Sequence, residues 1–107
     1  MKVRFSAHAA QYLRQEHAYL ARFNKTAAKM IVHQIRQSAK MLAEYPAAGL
    51  VIAPISGVRR YVNVPYHLDY VVMDDVVLIV AIRHGRQQEA TIDLDEDELE
   101  DPDTTSR

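Results

Sequence analysis

Apolar and basic residues alternate from Lys2 to Phe5, which predicts a short strand. Ser6 is then a plausible helix N-cap. Residues 7–22 contain no Gly or Pro and are rich in Ala, Gln, Leu and Arg, all good helix formers. Leu13, Leu20 and Phe23 recur there at helical spacing, and Asn24 reads as a cap between two helices. Residues 25–45 carry the strongest period in the chain. Ala28, Ile31, Ile35, Ser38, Leu42 and Tyr45 step alternately by three and four, a stripe suited to packing against another helix. Tyr45-Pro46 ends this helix, because a proline ring disfavours the helical conformation in the residue before it.

Residues 46–57, PAAGLVIAPISG, hold two prolines, two glycines and no charge, and are expected to form a connecting loop. Three strands are expected after it. Over Val58 to Val64, Val58, Arg60, Val62 and Val64 share one face, and Arg59, Tyr61 and Asn63 the other. Pro65, which has no N–H for a strand ladder, separates this strand from the next. Tyr66 to Met73 and Val76 to Arg83 flank Asp74-Asp75, which reads as a tight hairpin. A two-residue loop sets Met73 opposite Val76, Tyr70 opposite Ile79 and Tyr66 opposite Arg83. Leu68, Tyr70 and Val72 then share a face with Val77, Ile79 and Ala81, able to bury the helices. Val76 to Ile82 is apolar on both faces, as a central strand would be. The expected fold class is α+β, in the order β-α-α-β-β-β: an N-terminal strand, a helical hairpin and a three-stranded antiparallel meander.

Charge divides the chain. Residues 1–88 hold 12 of the 13 Lys/Arg and 5 of the 14 Asp/Glu, a net of +7, and residues 89–107 hold the remaining nine acids and Arg107, a net of -8. This predicts a basic domain over 1–88 with an acidic C-terminal tail over 89–107. The 107 residues suffice for one domain. No cysteine is present, so thiolate chemistry and disulfides are excluded. Neither a signal-peptide core nor an apolar run of membrane-spanning length occurs, so a cytoplasmic protein is expected.

The cluster Arg83-His84-Gly85-Arg86 leaves the expected central strand, and Arg59 and Arg60 open another strand of the same sheet. Arginine suits planar, two-pronged recognition of phosphate or carboxylate, while a solvated strand end explains the same residues equally well. His84 is a candidate general base, since histidine as a residue type suits proton transfer, although a lone histidine among arginines more often binds an anion or caps a strand. Tyr66 and Tyr70 fall on one strand face. They suit stacking on bases, or, more commonly for Tyr70, core packing with the hydroxyl at the rim. The remaining histidines show no metal-ligand spacing, and neither a metal nor a cofactor is expected.

In order and spacing, several of these features resemble the C-terminal half of ParE-type toxins of the RelE/ParE superfamily. They are Pro46 and Gly49 of a P-x-x-G turn, Gly57 and Arg59 at a strand start, Pro65, Tyr66 and Tyr70, the acidic turn Asp74-Asp75, and His84, Gly85 and Arg86. The resemblance covers roughly residues 1–88. It implies a toxin of a type II toxin–antitoxin system, with a cognate antitoxin as protein partner. ParE-type members are associated with inhibition of DNA gyrase, and RelE-type members with cleavage of mRNA on the ribosome. A ParE-like inhibitor is favoured, because residues 46–58 lack Lys and Arg and no Tyr or His follows His84. The expected target-binding residues are Arg59, Arg60, Tyr66, Arg83, His84 and Arg86. The alternative, a ribosome-dependent endoribonuclease, would use Arg83, His84, Arg86 and Arg60.

The acidic tail departs from the compact family pattern. It sets Ile92, Leu94 and Leu99 among its nine carboxylates. Composition favours a solvated segment, and the competing expectation is a segment that folds back on the basic domain.

Overall fold

The computed structural model describes residues 1–85. They form β1 (Lys2–Phe5), α1 (Ala7–Ala21), α2 (Lys25–Glu44), β2 (Leu50–Ala53), β3 (Val58–Asn63), β4 (Tyr66–Met73) and β5 (Val76–His84). The strands make one sheet in the order β1-β5-β4-β3-β2. β1 lies parallel to β5, and the pairs β5/β4, β4/β3 and β3/β2 are antiparallel. The α+β class and the strand, helical hairpin and meander all stand.

Both helix starts are capped by the residues whose chemistry suits it. The Ser6 hydroxyl accepts from the Ala9 N–H at 3.0 Å and donates to the Val80 carbonyl at 3.1 Å. The Asn24 side chain accepts from the Ala27 N–H at 3.0 Å. The helices lie on one face of the sheet, and the core between them holds Leu13, Ile35, Ala39, Leu42, Leu68, Tyr70, Val77, Ile79 and Ile82. Ser38 is the polar member of the α2 stripe. It is buried and accepts from the Asn63 side-chain amide at 2.6 Å, which tethers α2 to the end of β3. Tyr45, the last member, is exposed.

Two expectations are corrected. The uncharged stretch 46–57 is not wholly loop. Leu50–Ala53 forms β2 and extends the meander by an outer strand, with Leu50 opposite Arg60 and Val51 opposite Arg59. As an edge strand it buries neither face: Leu50, Val51 and Ile52 are all exposed. It therefore lacks the alternation that marks a strand in sequence. Gly57, at the following turn, adopts φ 74°, a left-handed conformation that glycine takes without cost.

The second correction concerns register. The hairpin starts as expected, with Met73 opposite Val76 and Tyr70 opposite Ile79. Asp74 turns the chain with φ 54°, which aspartate tolerates. Asp69, however, pairs with Ala81, so Val80 is an extra residue on β5. This bulge shifts all later pairs by one and sets Tyr66 opposite His84 rather than Arg83. Ile82 accordingly enters the core in place of Ala81, which is only half-buried. Val72 stays exposed. The bulged Val80 carbonyl is the group that receives the Ser6 hydroxyl, so the α1 cap and the β5 bulge are joined.

Candidate functional site

Beyond the bulge, side chains alternate between the helix-covered face and the open face of the sheet. Arg60 from β3, Asp69 from β4 and Arg83 from β5 meet on the open face. Asp69 is 4% exposed and was not foreseen as a site residue. Arg60 Nε donates to Asp69 Oδ1 at 2.6 Å and Nη2 to Oδ2 at 2.9 Å. Arg83 Nη2 lies 3.7 Å from Oδ2. The hydrogen bonds to Asp69 hold the Arg60 guanidinium even more firmly in its charged form, against the opposing effect of burial. The group as a whole carries two cations and one anion. Its free capacity lies with Arg83, whose side chain is 40% exposed against 16% for Arg60. Val62 and Leu50 flank Arg60 on this face and are exposed, so the surface is apolar and cationic together.

His84 lies on the other face. Its ring meets Tyr66 edge-on at 5.5 Å, and both border a cleft with Tyr12, Glu16 and Tyr19 of α1. Tyr66 is buried, and its hydroxyl donates to Glu16 Oε2 at 2.6 Å. Burial first, then the Glu16 hydrogen bond and charge, and lastly Tyr12, push the Tyr66 phenol well above its ordinary range. The Tyr12 hydroxyl is also buried and makes no hydrogen bond of ordinary geometry. Burial and the Glu16 charge push it up to about 12, against a smaller opposing effect of the His84 backbone.

Arg59 serves the end of α2. Its Nη1 donates to the Gly49 carbonyl at 2.7 Å and to the Ala47 carbonyl at 3.4 Å. Tyr70 braces the same turn: its hydroxyl donates to the Pro46 carbonyl at 2.7 Å and accepts from the Gly49 N–H at 2.8 Å. A Cβ on Gly49 would lie 2.8 Å from the Arg60 carbonyl and from the Tyr70 ring and hydroxyl, so the close approach depends on glycine.

Of the six residues expected to bind a target, the fold brings Arg60 and Arg83 together. It places Arg59, Tyr66 and His84 elsewhere, and Arg86 lies outside the described residues. Asp69 did leave a signal, as a lone carboxylate between Leu68 and Tyr70 in an apolar strand. Among the described residues no group of three or more His, Cys, Asp or Glu is placed to hold a metal ion. Nor is any of their helices long and apolar enough to cross a membrane.

The family described as ParE toxin of type II toxin-antitoxin system, parDE, matches residues 3–89, most of the chain and every element above. The chain belongs to the ParE toxin family. No curated protein matches it. Among solved structures it is similar to one titled "Chromosomal ParDE TA system from P. aeruginosa", with a TM-score of 0.66 and 21% identity over 78% of this chain and 95% of that one. At that identity the likeness concerns the fold. Within this ParE chain, the P-x-x-G turn is the one built by Tyr70, Arg59 and Gly49. The Pro65-Tyr66 and His84-Gly85 segments meet where the Gly85 N–H donates to the Pro65 carbonyl at 2.7 Å.

Proposed function

We propose that this ParE toxin arrests growth by binding DNA gyrase in the cytoplasm, without converting a substrate, and that a cognate antitoxin neutralises it in a toxin–antitoxin hetero-oligomer. Family membership supports the target, since ParE-type toxins are associated with gyrase inhibition.

One observation carries the non-enzymatic reading: the sheet separates Arg83 from His84. A ribonuclease must stabilise charge on the transferring phosphate and move protons at its oxygens within one site. Here Arg60 and Arg83 stand on the open face, with Arg60 committed to Asp69, and the His84 ring packs against Tyr66 on the helix face. A binding surface needs only the open face. Exposed Leu50, Val62 and Arg83 there offer apolar area and a cation, as protein-binding surfaces do.

A supercoiling assay with the purified chain tests the proposal. Loss of gyrase supercoiling is expected as toxin approaches the enzyme concentration, and normal supercoiling at large toxin excess rejects it.

A further inference from the structure

A cleft of about 540 Å³ lies between β1, α1 and α2, away from the open face. Phe5, Leu13 and Val32 give it an apolar floor, and Arg14, His17 and Arg36 stand around it. No carboxylate lines it. Its chemistry calls for an occupant with both apolar and acidic side chains.

The chain itself supplies one. Residues 89–107 hold nine acids and a net charge of -8, against +7 for residues 1–88, and they space Ile92, Leu94 and Leu99 among those acids. The distance is within reach. Phe5 pairs with Ile79, and β5 runs on five residues to His84, about 17 Å at ~3.3 Å per residue. The seven residues from Gly85 to Ile92 span up to about 24 Å when extended. Ile92 and all that follows can therefore return to the level of Phe5.

We propose that the acidic segment 89–107 occupies this cleft in the same molecule, its leucine and isoleucine side chains on the Phe5–Leu13–Val32 floor and its carboxylates against Arg14 and Arg36. The contact is partly ionic and involves the exposed Arg14 and Arg36, so salt weakens it. It holds whatever the toxin's target is.

The full chain allows a direct test, because it contains no cysteine. A nitroxide on Asp95→Cys is the one label in the molecule. At about 0.1 M salt, where screening acts over ~10 Å, selective loss of the Phe5, Leu13 and Val32 amide signals is expected, with those of Leu50–Ala53 unaffected. The signals should return when Arg14→Glu and Arg36→Glu are combined. Both side chains are exposed, so the rest of the spectrum should stay unchanged. Signal loss spread over the whole surface, signal loss centred on another face, or no response to the double charge reversal each overturns the proposal. Cleft signals lost equally when labelled chain is mixed with unlabelled, isotope-enriched chain would assign the cleft to a second copy, which also overturns it.

Discussion

The Arg60 guanidinium grips the Asp69 carboxylate through two hydrogen bonds across the β3/β4 pair, at 2.6 Å and 2.9 Å, with Arg83 standing 3.7 Å away. Removing one member of a buried pair leaves its partner's charge uncompensated, at a cost of about 3–5 kcal/mol. Arg60→Ala should fall near the lower end, about 3 kcal/mol, because Arg83 remains beside Asp69. The double change Arg60→Met with Asp69→Leu should recover most of that loss. Urea unfolding measures both. An Arg60→Ala midpoint equal to that of the parent chain contradicts this account.

Potency should follow the exposed arginine rather than the histidine beside it. Arg83→Glu is expected to weaken gyrase inhibition about five- to thirtyfold, the effect of losing one interface contact worth some 1–2 kcal/mol. His84→Ala should change potency by less than about threefold, because its ring packs on the helix face against Tyr66. Titrating each purified variant in the supercoiling assay separates the two. The reverse ranking would point to His84 as the residue that contacts gyrase and contradict the open-face assignment.

Most of the fold was legible in the sequence. The α2 stripe, the caps Ser6 and Asn24 and the Asp74-Asp75 hairpin are local signals, and each stands where its chemistry puts it. Strand β2 was hidden because an exposed edge strand has no buried face to impose a period. The β5 bulge was hidden for another reason: its extra residue is fixed by the Val80 carbonyl meeting Ser6, 74 positions earlier in the chain. That one bulge decided the site. With it, Arg83 faces Asp69 and His84 faces Tyr66; a regular ladder would have set Arg83 opposite Tyr66.

Tyr70→Phe should destabilise the fold by about 2 kcal/mol. It strands the Gly49 N–H and the Pro46 carbonyl, and a buried polar group left without a partner costs about 1–3 kcal/mol. Hydrogen exchange supplies a specific reading: the Gly49 amide should lose protection while the α2 amides keep theirs. Unchanged Gly49 protection would show that the Tyr70 hydroxyl is not its partner.

Alkaline pH should destabilise the protein through Tyr66 and Tyr12. Both phenols are held above their ordinary value of 10, Tyr12 at about 12. Between pH 10 and about 12 the unfolded chain has lost these protons while the folded chain retains them, so stability falls as pH rises. Below pH 10 the contribution is complete. Phenolate absorbance followed through the transition should show these two tyrosines ionising only with unfolding, and Tyr66→Phe should flatten the pH dependence. An unaltered slope in that variant would rule out Tyr66 as a source.

The parallel β1/β5 pairing carries a consequence for biosynthesis. Lys2 through Phe5 find their partners only at Val76 through Ile79, and the α1 cap contacts Val80. A ribosome must therefore translate nearly the whole domain before its first strand can join the sheet. A translation product ending before Val76 would carry Arg60 but lack both Arg83 and the β5 strand that sets Arg83 beside Asp69.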